Sequence, residues 1–304
     1  MEKYEIRTDL ALEIRELYQK AANVEEEVPG VETTVNDSNP NFLITKVTIL
    51  SEEGANLLGK PVGDYVTIES PYMNDEVERI DQELISMIAK TIQDVSHMVK
   101  SDSVLVVGLG NTDVTPDALG PKVIDQLYIT RHLARYAPEL LASENTREIS
   151  AVVPGVLGTT GIETSDIIKG IIREISPDML IVIDALAAKD MNRISRTIQI
   201  SNTGITPGSG VKNNRSSLTK ETLGIPVIAI GVPTVVGVPT IVDEAISYVR
   251  EKSPEANEVL NQNNYMHDIL ESKKFDFMVT PNTIDDIITN LARLISEGIN
   301  EALK

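Results

Sequence analysis

Apolar positions along the chain follow two different periods, and their alternation sets the first expectation of fold. Within residues 76–100, Val77, Ile80, Leu84, Ile88, Val95 and Val99 recur at helical spacing and predict one amphipathic helix. Residues 103–107 then read as a short buried strand ending in Gly108-Leu109-Gly110-Asn111. A helix is expected from about Gly120 to Tyr136, then a strand over residues 149–153. The next helix should start near a Thr160-x-x-Glu163 capping box and carry Ile167, Ile168, Ile171 and Ile172. Residues 179–183 (MLIVI) predict a buried strand closing on Asp184, and residues 227–230 (VIAI) another that leads into Gly231. Thr280-Pro281 offers an N-cap and first-turn proline for a last helix striped by Ile284, Ile287, Ile288, Leu291, Leu294 and Ile295. Strand–helix alternation of this kind predicts an α/β fold with an open, mostly parallel, doubly wound sheet.

The N-terminal part reads differently. Residues 1–27 are charged and helix-prone until Pro29-Gly30 breaks the pattern, and residues 42–50 (FLITKVTIL) form a strand of a β-containing extension over residues 10–75. Two later segments interrupt the regularity. Residues 202–217 make a Gly-, Asn- and Ser-rich loop, and residues 251–275 a polar surface insertion. A hexapeptide is also doubled, GVPTVV at 231–236 and GVPTIV at 237–242, which is too brief for a repeat architecture and reads as a local duplication.

Composition narrows the chemistry. The 304 residues suit one large domain or one and a half. Tryptophan is absent and aromatics are 4%, so the core must be built from Ile, Val, Leu and Met, as in buried parallel strands. A net charge of −19 argues against direct nucleic-acid binding, which needs positive potential. With no cysteine, disulfides, thiolate nucleophiles, Cys-ligated zinc and iron–sulfur clusters are excluded. The N-terminus is charged throughout without an apolar core, and no run approaches the roughly 18 apolar residues of a membrane span, so a cytoplasmic location is expected.

His97, His132 and His267 lie far apart, and neither HExxH nor GxSxG occurs. The glycines at 108 and 110 follow a strand, but Asp113 stands where the dinucleotide fingerprint needs its third glycine, and no phosphate-binding GxxxxGK[ST] exists. Carboxylates remain. In an open α/β sheet ligands sit beyond the carboxyl ends of strands, which is where Asp117 and Asp184 fall. Pro116 stiffens the loop that presents Asp117. If the two strands are neighbours, the carboxylates can share a proton, one activating water while the other protonates the peptide. The plainer alternatives are helix-capping roles for both residues, and Asp113 is a rival within the same loop.

Residues 108–121 (GLGNTDVTPDALGP) resemble the signature of the spore germination proteases, an atypical aspartic-type endopeptidase family. The segments 153–164 (VPGVLGTTGIET), 180–188 (LIVIDALAA), 205–213 (ITPGSGVKN), 227–234 (VIAIGVPT) and 278–288 (MVTPNTIDDII) agree in the same order. The resemblance implies digestion of small acid-soluble spore proteins during germination, in the cytoplasm of the forespore and spore core, by a homotetramer with no cofactor. It assigns catalysis to Asp117 and Asp184. Asn111, Thr115, Gly208, Ser209 and Gly210 become substrate-groove candidates. Residues 6–13 (IRTDLALE) look like that family's processing site, implying an autoprocessing zymogen cut between Asp9 and Leu10, with residues 1–9 as propeptide and 10–304 as a single protease domain. A plain helix N-cap at Thr8 or Asp9 is the other reading of that segment. The family is also similar to the hydrogenase-maturation endopeptidases, whose acidic residues bind nickel with a histidine; this chain offers no histidine at a matching strand end, so no metal is expected. One departure concerns the GVPT block, single in the family and doubled here before Asp243, which is expected to move a groove wall. A metal-dependent endopeptidase and a non-enzymatic binding module are the competing classes.

Overall fold

Strand by strand, alternate residues go to opposite layers. The computed structural model describes residues 8–23, 26–75, 77–139, 147–208, 216–253 and 277–304; Ser209, Gly210, residues 1–7 of the expected propeptide and all but 251–253 of the expected insertion lie outside them. In chain order the elements are α1 (Ala11–Ala22), β1 (Val31–Asn39), β2 (Phe42–Ile49), α2 (Glu52–Leu58), β3 (Gly63–Glu69), α3 (Glu78–Ser96) and β4 (Val104–Gly108). Then follow α4 (Leu119–Ile124), α5 (Arg131–Tyr136), β5 (Ile149–Val152), α6 (Leu157–Thr160), α7 (Thr164–Ile175), β6 (Met179–Ala188) and β7 (Thr197–Ser201). The last are α8 (Lys220–Leu223), β8 (Val227–Gly237), α9 (Val238–Lys252), β9 (Met278–Val279) and α10 (Ile284–Ala302).

The strands form one open mixed sheet of order β1-β2-β3-β7-β8-β6-β4-β5, with β9 added on β8. Its β5-β4-β6-β8 part is parallel. The extension is not a separate layer: β1, β2 and β3 join through β7 as an antiparallel wing. Val104, Val106, Ile181 and Ile183 face a core built with α3 and α10, while Leu105, Val107, Leu180 and Val182 face Ile168 of α7 and Leu223 of α8. Burial on both faces explains why these strands read as unbroken apolar runs. On the second face the wing has its own apolar patch, where Val47, Ile49 and Tyr65 pack with Ala11 and Leu12. No described helix is long and apolar enough to cross a membrane.

Three expected boundaries move, each for a local reason. The helix expected over 120–136 is two short ones, because the chain between them turns to donate from the Tyr128 amide to Asn300 Oδ1 (2.9 Å) and from the Thr130 amide to Ile149 O (3.0 Å). Thr160 does not cap α7; it ends α6 and its hydroxyl donates to Val156 O and Ile162 O, leaving Glu163 at the N-cap without a side-chain bond. Thr280 does not cap α10, whose N-cap is Thr283, because its hydroxyl donates to Thr234 O (2.8 Å).

α3 packs against α10, where a β-carbon on Gly298 would lie 2.6 Å from Ile88 Cγ2. Ile88 is fully buried at this contact. Ile88→Ala should therefore lower unfolding stability by about 3 kcal/mol, read as a denaturant-midpoint shift at unchanged slope. A loss under about 1 kcal/mol would mean the two helices close over the gap.

Candidate active site

A polar row crosses the second face of the sheet. Cross-strand partners run Thr45↔Thr67, Thr67↔Gln199, Gln199↔Gly231 and Gly231↔Asp184, so these residues share one face across β2, β3, β7, β8 and β6. Asp184 is 6% exposed, and its Oδ1 accepts from the Ala185 amide (3.0 Å). Gly231 in mid-row has no room for a side chain: an added β-carbon would lie 2.4 Å from Leu186 Cδ1. Asp184 does not end its strand as expected. β6 runs on to Ala188 and β8 to Gly237, whereas β4 stops at Gly108, so β6 keeps a free edge beyond β4.

The loop after β4 crosses that gap and brings Asp117. Gly110 has φ 115, and a β-carbon there would lie 1.8 Å from Asp117 O and 3.3 Å from its carboxyl carbon, so only glycine lets the loop fold back this closely. The Asn111 amide donates to Asp117 O (3.1 Å) and the Asp117 amide to Val114 O (2.8 Å). From below, the Thr234 hydroxyl donates to Pro116 O (2.8 Å). Thr234 is free to do so because the β6–β8 register slips there, Leu186 pairing with Pro233 and Ala187 with Val235. Proline has no amide for the ladder, so a bulge at this point costs little, and it aims the extra residue at the loop.

Asp117 and Asp184 line one cleft of about 420 Å³, together with Asp9, Gly110, Pro116, Gly155, Val156, Thr206, Pro207, Gly208, Thr234 and Thr280. Asp9 holds the free edge of β6: its amide donates to Ala187 O (2.9 Å), and its Oδ2 accepts from the Ala187 amide (2.9 Å). The Asp9 carbonyl accepts from Lys60 Nζ (3.0 Å) and Gln199 Nε2 (3.5 Å). Leu10 is 0% exposed and packs with Leu186, Ala188, Ile194 and Ile205. The helix-cap reading of Thr8 or Asp9 fails: α1 has Leu10 at its N-cap, and the Ala11 amide is satisfied by Gln199 Oε1 (2.8 Å). Further along, Glu13 accepts from the amides of Lys189 (2.7 Å) and Asp190 (2.9 Å) and from the Thr8 hydroxyl. Arg193 clasps α1 to the sheet through Glu16 (2.7 Å) and Glu69 (2.8 Å), with Glu13 at 3.6 Å.

Of the groove candidates, Gly208 lines the cleft. Asn111 and Thr115 brace it from outside: Asn111 Oδ1 accepts from the Asp113 amide (3.0 Å), and the Thr115 hydroxyl donates to Asp285 Oδ1 (3.0 Å) on α10. Asp113 is exposed and does not line the cleft. Lys60 and Gln199 were invisible as site residues, because each acts from a different strand or turn and neither belongs to a motif. Thr234 lies in the doubled GVPT block, which in the sequence reads only as a duplication expected to move a groove wall. The first copy is strand and supplies the bulge, while the second starts α9 behind Gly237 and Pro239. Among the described residues no three histidine, aspartate or glutamate side chains group as metal ligands.

A family model described as germination protease matches residues 11–258. The chain is 47% identical to a germination protease of Caldanaerobacter subterraneus subsp. tengcongensis, covering 98% of this chain and 94% of the relative. It is 43% identical to one of Clostridium perfringens (99% and 96% covered) and 38% identical to one of Bacillus licheniformis (100% and 94%).

The Glu13 clasp generates a pH prediction. Burial raises the Glu13 carboxyl above its ordinary 4.5, against the opposing bonds from Thr8, Asp190 and Lys189 and the charge of Arg193. The folded chain then holds this proton more firmly than the unfolded chain. Its contribution to stability is fully present below the unfolded value and is lost as pH rises through the folded one. Glu13→Gln, which cannot titrate, should therefore cost more stability at pH 4 than at pH 7. Equal costs at both would show that Glu13 titrates alike in both states.

Proposed function

The chain belongs to the germination protease family and is a protease, and from that premise we propose that the cleft is its active site, with Asp117 and Asp184 as the catalytic pair. The observation that carries this reading is the meeting of both aspartates with Asp9 in one cleft, beyond the carboxyl end of β4, the side of an α/β sheet that binds ligands. Two carboxylates in a half-dry crevice hold one proton between them more cheaply than two charges. The ionised member takes a proton from water as the oxygen attacks the peptide carbonyl, and the protonated member gives its proton to the leaving nitrogen. The two behave as a coupled unit, so acid and base roles belong to the pair.

The first substrate is the chain's own Asp9–Leu10 bond. Support comes from the way residues 8–13 sit: Asp9 adds to the β6 edge as a peptide substrate would, and Leu10 fills an apolar pocket on the far side of the bond. The chain is accordingly read as an autoprocessing zymogen with residues 1–9 as propeptide. Small acid-soluble spore proteins as later substrates, action in the spore core and a homotetrameric assembly rest on the family resemblance of the sequence.

Incubating the purified full-length chain and following its intact mass tests the proposal. Wild type should lose residues 1–9, while Asp117→Asn and Asp184→Asn, isosteres unable to exchange the proton, should slow this by at least about 100-fold. Trimming at equal rates in all three would remove both residues from the chemistry. A chelator should leave the wild-type rate unchanged, and loss of activity restored by nickel or zinc would favour a metal-dependent mechanism instead.

A further inference from the structure

The Asp9 carbonyl oxygen is approached by donors from two elements that have no other part in the cleft. Lys60 follows α2, is held by donation from its own amide to Ala55 O (3.2 Å), and precedes Pro61, whose carbonyl accepts the Tyr65 hydroxyl (2.9 Å). Its stem is therefore fixed where it leaves the backbone, and its ammonium ends 3.0 Å from the Asp9 oxygen. Gln199 comes from β7 on the other side of Gly231 from Asp184. Because its Oε1 accepts from the Ala11 amide at 2.8 Å, its NH₂ is turned toward the same Asp9 oxygen, at 3.5 Å. The bond between Asp9 and Leu10 thus lies over the polar row, with the Asp184 acid on one side of Gly231 and the Gln199 amide donor on the other.

We propose that Lys60 and Gln199 are catalytic residues that stabilise the negative charge developing on the carbonyl oxygen of the bond being cut. This rests on the reading of Asp9–Leu10 as that bond and of the aspartate pair as the proton-handling unit. Water oxygen bonds to the Asp9 carbonyl carbon, one water proton passes to the ionised carboxylate, and the carbonyl electrons move onto the oxygen facing Lys60 and Gln199. Collapse reforms the C=O bond and breaks the C–N bond, and the leaving nitrogen of Leu10 takes the proton of the carboxyl group. The new Asp9 α-carboxyl group carries the second water proton and passes it to the Leu10 amine, so the products are the Asp9 α-carboxylate and the Leu10 ammonium. Donors aimed at an oxygen that becomes charged only in the transition state lower the barrier more than they tighten binding. Burial also pulls the Lys60 ammonium below its ordinary value, with the Asp9 charge opposing, so this cation is under-solvated before the reaction and gains most when an oxyanion appears.

The test follows intact mass during self-trimming of full-length wild type, Lys60→Met, Lys60→Arg, Lys60→Ala, Gln199→Leu and Asp117→Asn, with thermal unfolding of each. Lys60→Met should trim on the order of 100-fold more slowly while unfolding within a few degrees of wild type. Lys60→Arg should recover part of the rate. Added propylammonium should speed Lys60→Ala and leave wild type unaffected, which a purely structural lysine would not produce. If Lys60→Met does not fold, Gln199→Leu carries the same test, with a slowing of about tenfold or more expected. Wild-type rates in Lys60→Met or in a folded Gln199→Leu, alongside a silent Asp117→Asn, would overturn this inference and leave the aspartate pair standing. Absence of cleavage at Asp9–Leu10 in wild type, or full cleavage in Asp117→Asn, would instead overturn the reading beneath it.

Discussion

The site depends on a polar row laid across one face of the sheet. Thr45, Thr67, Gln199, Gly231 and Asp184 stand in register because five strands pair in register, and no single strand contains the row. Buried polar groups are costly unless they find partners, and this row finds some of its partners in the N-terminal segment lying across it. Gln199 bonds both Ala11 and Asp9, and the β6 edge beyond β4 is closed by Asp9. The wing strands β1 to β3, which look like an appendage in the sequence, are thereby part of the site: they carry Thr45 and Thr67, and the turn between α2 and β3 carries Lys60.

The same arrangement explains how the N-terminal segment is held. Asp9 and Glu13 both take backbone amides of β6 and the turn after it, Leu10 fills the apolar pocket between them, and Arg193 ties α1 to β3. These bonds use residues from three separated parts of the chain, so the hold is cooperative. A segment seated by its own backbone amide on a free strand edge occupies the place of an extended peptide, which relates the zymogen reading to the substrate reading through one geometry.

Much of the architecture was readable from pattern. The apolar runs at 103–107, 179–183 and 227–230 became β4, β6 and β8, and the stripes behind Glu76 and Pro281 became α3 and α10. Asp117 and Asp184 stood out because each follows an apolar run, and they line one cleft, although β6 runs on past Asp184 instead of ending there. What failed was local: the Thr160 and Thr280 caps, and the single helix over 120–136. In two of the cases a side chain or amide that looked available to its own helix was taken by a partner far along the chain, Thr234 for Thr280 and Asn300 for Tyr128, whereas the Thr160 hydroxyl was taken by the nearby Val156 and Ile162 carbonyls.

The doubled hexapeptide draws the boundary most clearly. GVPTVV and GVPTIV differ by one methylene, yet the first is the end of a strand and the second the start of a helix. By itself the sequence determined the alternation of elements, the composition of the core and which acids follow the apolar runs, because these follow from local period and side-chain type. Tertiary structure alone decided which copy became strand, which strands became neighbours, and that Lys60, Gln199 and Asp9 would meet. Those outcomes depend on the register between distant segments, which no local pattern encodes.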